Sequence, residues 1–218
     1  MDLSKNEEDY LKALFYLIVE SENDKTSTNQ LAEYLGISPA SVNGMLKKLR
    51  TKKLVDYQKY GKLHLTEQGR AIAVQLVRKH RLWETFLYDK LGFSWDEVHE
   101  VAEQLEHIQS EKLIRKLDAF LEHPSNDPHG AVIPTEEGEY RIPPKKTLAE
   151  VPAGDFCKLV SVKDSSVAFL QYVTKLGLAL SSRIRIVERI SFDDSLIIEF
   201  DGKQVQITRK FAENVFVV

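Results

Sequence analysis

The sequence predicts a mainly α chain with a β C-terminal domain: a winged helix-turn-helix, a helical dimerisation domain and a small SH3-like β-barrel. Helical periodicity punctuated by cap signals fills roughly the first 122 residues. Five of the seven prolines (Pro124, Pro128, Pro134, Pro143 and Pro144) then fall between 123 and 144, and from Leu148 the pattern turns to short β segments. The expected bounds are 1–66 for the winged helix, 67–122 for the helical domain, 123–147 for a linker and 148–218 for the barrel. With 218 residues, 43% of them hydrophobic, the chain can bury a core in each domain. A net charge of −3 argues against blanket attraction to nucleic acid, although an average over domains conceals a local basic surface. One cysteine, Cys157, excludes an intramolecular disulfide. The Met1-Asp-Leu-Ser start carries no signal-peptide pattern and no apolar run is long enough to span a bilayer, so a soluble, cytoplasmic protein is expected.

Leu3, Tyr10, Leu11, Leu14, Phe15, Leu17 and Ile18 recur at helical spacing, giving a first helix that ends near Glu20 with Asp9 near its start. Ser27 followed by Gln30 is a capping box for a short helix that turns Leu31, Ala32 and Leu35 inward and stops at Gly36. Ser38-Pro39 opens the next, through Val42, Met45, Leu46 and Leu49. Two helices separated only by Gly36-Ile37-Ser38 make a helix-turn-helix, and Leu54-Val55 to Leu63-His64-Leu65, turning at Tyr60-Gly61, reads as a hairpin wing. Between 39 and 65, Lys47, Lys48, Arg50, Lys52, Lys53, Lys59 and Lys62 are opposed only by Asp56. A winged helix enters the major groove by the N-terminal end of its second helix, which places Ser38, Pro39, Ala40, Ser41, Asn43 and Gly44 near bases. Asn43 suits a base edge; Ser38, Ser41, Lys47, Lys59 and Lys62 suit phosphates. The alternative is a helical hairpin with a solvated lysine face used for protein contacts. Agreement of caps, lengths, wing and charge favours double-stranded DNA.

Thr66 caps a long helix from Glu67 to about Leu91, ended by Gly92, in which Ile72, Leu76, Leu82, Phe86 and Leu87 form a core and interface stripe. Ser94-Trp-Asp-Glu97 opens the helix that carries His99 to His107, and Ser110 begins a third that reaches about Leu121. Trp83, Phe93 and Trp95 read as core or dimer-contact aromatics, and these helices are expected to form a homodimer surface. Beyond the linker, strands are expected at 156–162, 167–173, 183–190, 196–200 and 205–207, with Asp201-Gly202 as the last hairpin turn.

His80 and Glu84 share a helix face four residues apart, and His99, Glu103, Glu106 and His107 share an edge of the next helix. Packed together, two such helices would surround a metal ion. The alternative is solvated polar residues on amphipathic helices. Three of the chain's six histidines fall in this cluster, each one turn from a carboxylate, and this favours metal binding. Asp127-Pro-His129 adds a polar pair that a plain linker does not need.

The order of parts resembles the iron- and manganese-dependent repressors related to the diphtheria toxin repressor. The likeness runs from the winged helix through Arg78-Lys-His-Arg-Leu82 and Val98-His-Glu…Glu106-His107 to Leu148-Ala-Glu-Val-Pro-Ala-Gly154, which introduces an SH3-like (FeoA-like) domain. It implies a homodimer that binds operator DNA, and so controls metal-uptake genes, when a divalent ion joins the N-terminal helix to the dimerisation helices. His80, Glu84, His99, Glu106 and His107 match ligand positions. Asp9 and Glu103 stand where iron-responsive members have Met and Cys, as in manganese-responsive ones. Lys12 replaces a second acid found in some manganese regulators, against their two-manganese arrangement. The first site implied is Asp9, His80, Glu103, Glu106 and His107. Glu84, His99, Asp127 and His129 are left for a second, with His80 in reach of either and Asp164 of the barrel as an added ligand.

A shell of oxygen and imidazole without thiolate suits Mn²⁺ or Fe²⁺, and Co²⁺, Ni²⁺ or Zn²⁺ would bind it in vitro. Histidine ligands are expected to lose metal as pH falls through about 6.5, and the proline-rich linker is expected to tether the barrel loosely unless a ligand fixes it. A His/Glu-helix metalloenzyme is the rival of another class. It lacks a paired second Glu-x-x-His motif and a nucleophile, and leaves the basic helix-turn-helix without a purpose. A repressor that ignores metal would bind its operator in chelator.

Overall fold

The computed structural model describes residues 3–218 apart from Glu22, Asp24, 59–61 and Ile142, with Tyr57 and Gln58 described by their backbone alone. Helix α1 (Lys5–Phe15) opens on a reciprocal box in which Ser4 accepts from the Glu7 N–H and Glu7 accepts from the Ser4 N–H, and it runs into a π-helical stretch, Tyr16–Glu20. It therefore ends at Glu20, where the apolar periodicity stops. Next come β1 (Thr26–Ser27), α2 (Thr28–Leu35), α3 (Pro39–Thr51), β2 (Val55–Gln58) and β3 (Lys62–Leu65). The Ser27 and Ser38 caps form as expected, and Gly36 closes α2 at φ 66°. The wing is a three-stranded sheet in the order β1-β3-β2 rather than a hairpin, because the two-residue β1 is too short to show a period of two. The expected turn at Tyr60-Gly61 lies outside the described residues.

Leu11, Leu14 and Phe15 pack with Leu31, Leu46, Leu49, Leu54 and Leu63 into a fully buried core. Helix α4 (Glu67–Leu91), capped by Thr66 and ended by Gly92, spans two cores. Ala73, Val74, Leu76 and Val77 close the first, and Leu82, Trp83 and Leu87 join α5 (Val98–Leu105) and α6 (Glu111–Phe120) in the second. Gly69 permits this close crossing, since a Cβ there would lie 1.9 Å from the Leu54 carbonyl oxygen. Helix α5 stops at Leu105, so Glu106 is its C-cap and His107 lies beyond it, short of the expected continuation of the helix through both.

The C-terminal domain contains β4 (Lys146–Thr147), β5 (Phe156–Val162), α7 (Val167–Leu176), β6 (Arg183–Arg189), β7 (Leu196–Phe200), β8 (Lys203–Ile207), α8 (Arg209–Ala212) and β9 (Val215–Val217). Its antiparallel sheet runs β4-β9-β5-β6-β7-β8. The first half of β5 pairs with β6 and the second with β9, and register shifts at Leu159/Ser161 and Ile186/Glu188 bend the sheet around its core. The segment 167–173 expected as a strand is helical. Ser166 accepts from the Phe169 N–H, Gly177 ends the helix at φ 85°, and Leu170 and Val173, three residues apart, are the buried positions. Its β-branched and aromatic content imitates a strand while its burial follows a helical period.

The expected loose linker is instead pinned. Asp127 Oδ1 accepts from the His129 N–H at 2.8 Å and the Ala131 N–H at 2.9 Å, and the Val162 N–H donates to the His129 carbonyl at 3.1 Å. The Arg78 guanidinium donates to the Pro134 carbonyl at 2.6 Å. Gly130, at φ 80°, passes so close to β5 that a Cβ would lie 1.9 Å from the Val160 carbonyl oxygen. Proline content removes helix and strand from this stretch without making it mobile, because side chains and β5 satisfy its backbone.

Candidate metal centre

Helices α1, α4 and α5 meet around His80, which is 2% exposed. Its Nδ1 lies 2.5 Å from Glu106 Oε2, and its Nε2 lies 2.9 Å from Glu84 Oε1 and 3.1 Å from His99 Nδ1. The imidazole thus faces both expected sites. Burial opposes its charge, but the Glu84 charge and the hydrogen bonds to Glu106 and Glu84 outweigh that and raise His80 to about 9. Glu106 is fully buried. Desolvation pushes its carboxyl up, and the bonded His80 with Lys12 overcomes this to hold it below the usual range. Lys12 Nζ reaches Glu106 Oε1 at 2.7 Å and also pairs with Glu103.

Asp9, from α1, places Oδ1 3.2 Å from His107 Nε2. That oxygen is buried and, among the described residues, accepts no hydrogen bond, and burial pushes the Asp9 carboxyl up. His107 Nδ1 is 2.5 Å from Oε2 of the buried Glu8, whose Oε1 accepts from Gln109 at 2.6 Å. Sequence reasoning missed Glu8. Its only signal is adjacency to Asp9, and one residue along a helix is a different face unless the neighbours crowd both.

Glu84, Asp127 and His129 are all buried. His129 Nδ1 is 3.8 Å from Glu84 Oε2, and its Nε2 donates to the Trp95 carbonyl at 2.7 Å. Burial disfavours its charge, yet the neighbouring Glu84 carboxylate raises His129 to about 9. Glu84 is held well below the usual carboxylate range, since His80, His129 and His99 outweigh its desolvation. Asp127 rises to about 6 through burial and the Glu84 charge, against Arg81, whose Nε is 3.5 Å from Oδ2. Trp95, expected as a core or dimer aromatic, stacks on His129 with centroids 6.0 Å apart and donates from Nε1 to Thr174 of α7 at 2.8 Å. It links the C-terminal domain to the cluster.

Among the described residues, three groups of candidate ligand atoms result: Asp9, Glu106 and His107; His80, His99 and Glu103; and Glu84, Asp127 and His129. Within each, the atoms lie within 4.8 Å of one another. His99 also lies 3.2 Å from Glu84, so it borders both sites rather than belonging to the second alone. Nine of the ten expected ligands therefore converge. Asp164 does not, because its Oδ1 accepts from the Ser166 N–H at the start of α7. The donorless Asp9 oxygen, and carboxylates that draw Lys12, His80 and His129 into positive contacts, mark a site that demands cations. An oxygen and nitrogen donor set fits a hard divalent ion.

On α3, Ser38 accepts from the Ser41 N–H at 3.2 Å. Ser38, Pro39, Ala40, Ser41, Asn43, Gly44 and Lys47 are exposed, as is Lys62 on β3, while Val42, Leu46 and Leu49 face the core. Lys59 lies outside the described residues. Lys52 turns to Glu7 at 2.8 Å, which takes one charge out of the expected basic patch.

Three family models match in succession: the iron dependent repressor N-terminal DNA binding domain over residues 2–63, the iron dependent repressor metal binding and dimerisation domain over 66–135, and the FeoA domain over 146–218. A solved manganese-dependent transcriptional repressor in complex with manganese is 37% identical, with a TM-score of 0.87 over 97% of this chain and 99% of that one. The manganese regulator SloR is 36% identical, with a TM-score of 0.80 over 100% of this chain and 99% of that one. The iron-dependent repressor IdeR of Mycobacterium tuberculosis is 35% identical over 133 residues, which span 61% of this chain and 57% of that relative's length. The diphtheria toxin repressor of Corynebacterium diphtheriae is 25% identical over 98% of this chain and 97% of its own. The chain belongs to the family of iron- and manganese-dependent repressors related to the diphtheria toxin repressor.

Proposed function

We propose that this chain is a cytoplasmic, homodimeric repressor that binds double-stranded operator DNA when Mn²⁺, or alternatively Fe²⁺, occupies the centre formed by Asp9, His80, Glu103, Glu106 and His107, and so controls metal-uptake genes. The observation that carries it is the convergence of α1, α4 and α5 on two adjoining groups of carboxylates and imidazoles, Asp9 with Glu106 and His107 and His80 with His99 and Glu103, which meet where His80 contacts Glu106. The bound ion supplies divalent charge. Asp9 belongs to the domain that carries α3, whereas Glu103, Glu106 and His107 belong to the helices that build the dimer. Coordination by both sets fixes the angle at which α3 is presented. Asp9 and Glu103, both carboxylates, favour manganese, in keeping with the manganese-dependent proteins of similar structure.

The dimer face is the apolar surface of Tyr88 and Leu91 on α4 with Leu113 and Phe120 on α6, all exposed in the single chain. Ser38, Pro39, Ala40, Ser41, Asn43 and Gly44 meet base edges, with Ser38, Ser41, Lys47, Lys62 and Lys59 on phosphates. No helix among the described residues is long and apolar enough to cross a membrane.

The test is retention of a duplex selected from a random library by the Mn²⁺-loaded protein. Retention in Mn²⁺ and release by chelator are expected; equal retention in both rejects the reading. A second centre at Glu84, Asp127 and His129, bordered by His99, ties the pinned loop to α4. Calorimetric titration with Mn²⁺ is expected to give two ions per subunit in the wild type and one in His129→Ala. An identical count in the two proteins eliminates that second centre.

A further inference from the structure

Lys12 is 5% exposed, on the α1 face that meets α5. Its ammonium spans both oxygens of Glu106, at 2.7 and 2.8 Å, and pairs with Glu103 at the same time. Glu106 Oε2 also contacts His80 Nδ1 at 2.5 Å, so both oxygens of this fully buried carboxylate are engaged. Glu103 lies 3.6 Å from His99 and 3.9 Å from His80. A divalent ion placed on Glu103 and Glu106 meets an ammonium already there, and like charges at such separations in a poorly solvated site repel strongly. A lone buried lysine is costly, whereas one that neutralises the fully buried Glu106 and the half-buried Glu103 on another domain is held by them. Its chain crosses the same α1–α5 gap that Asp9 and His107 cross.

We infer that Lys12 is a built-in cation of this centre: in the metal-free chain it braces α1 against α5 in the ion's place, and it must swing away from Glu103 and Glu106 before metal binds. The inference rests on the metal-centre reading above and adds a regulator to it. Lys12 sets the metal concentration at which the centre fills, as an intramolecular competitor always present at high effective concentration.

The experiment uses the full chain stripped with chelator and titrated with Mn²⁺ by calorimetry, alongside thermal melts with and without metal. Lys12→Met keeps length and removes charge; Lys12→Arg keeps charge. Lys12→Met is expected to bind Mn²⁺ at this centre about tenfold tighter or more. Its metal-free form is expected to melt below the metal-free wild type, while Lys12→Arg stays near wild-type affinity. If Lys12→Met does not fold without metal, Lys12→Gln carries the same expectation in the same titration. Affinity equal to or weaker than wild type in the neutral variants overturns the inference and leaves Lys12 a structural ion pair. A Glu106→Gln variant that titrates identically to wild type removes the metal centre and Lys12's role with it.

Discussion

Glu106→Ala is expected to abolish the metal response of operator binding. Glu106 is the fully buried carboxylate that His80, Lys12 and the Asp9–His107 pair all surround, so its loss removes the group through which α1, α4 and α5 share one cation. Allosteric couplings of this kind are typically ~1–3 kcal/mol, or about 5- to 150-fold in affinity. The ratio of operator affinity in Mn²⁺ to that in chelator should collapse from that range to one. The same change leaves the Lys12 ammonium paired with Glu103 and His80 paired with Glu84, so the cost is a part of the ~3–5 kcal/mol of a fully broken buried pair. The metal-free variant should therefore also melt lower. Glu106→Gln, which keeps volume and one of the two acceptor oxygens, separates the two effects: it should retain more of the stability and still lose the response. A Glu106→Ala protein that folds and still responds to Mn²⁺ in proportion to dose contradicts the cross-brace.

Metal affinity is expected to climb steeply with pH well above the range of an ordinary imidazole. His80 and His129 are each raised to about 9, so near neutral pH the metal-free protein holds a proton on both. Both must leave for the rings to coordinate, which makes apparent affinity rise by up to about tenfold per pH unit for each proton released, and this continues to about 9 instead of ending near 6.5. Without metal the sign reverses. A folded-state pKa above the unfolded value means the native form holds protons more tightly. The resulting stability is complete below about 6.5 and is lost as pH rises through about 9. Metal-free melting temperature should fall between those values while Mn²⁺-loaded protein gains. Titration of Mn²⁺ in two buffers of different ionisation enthalpy counts the protons released. A count of zero at neutral pH, or affinity that is flat above pH 7, contradicts the assignment of protonated His80 and His129.

Local rules reached far into this fold because its helix ends are written in single residues. Ser27, Ser38, Thr66 and Ser110 each act as the cap they resemble, Gly36 and Gly92 stop their helices in the left-handed conformation, and Asp201-Gly202 turns between the last long strands. Helical spacing also put His80 with Glu84 and His99 with Glu103, since four residues along a helix is a distance the backbone sets. The strand expected at 167–173 does not form: Val, Phe and Tyr favour a strand by type, while the Ser166 cap, the Gly177 stop and burial of Leu170 and Val173 three residues apart make it a helix.

The sequence by itself determined the caps, the helix-turn-helix, the candidate ligand types and the pairs within each helix. Only the tertiary structure decided how those pairs share their charges. His80 sits between two centres because α4 passes between α1, α5 and the pinned loop. Glu8 and Lys12 are drawn in from α1 across more than 90 residues of chain, and Asp164 is left outside, its carboxylate accepting from the N–H of Ser166, the residue that caps α7. Spacing specifies neighbours on one element. Contacts between elements depend on crossing angles and burial, and these set the electrostatics that raise His80 and His129 and hold Lys12 where a metal ion is expected.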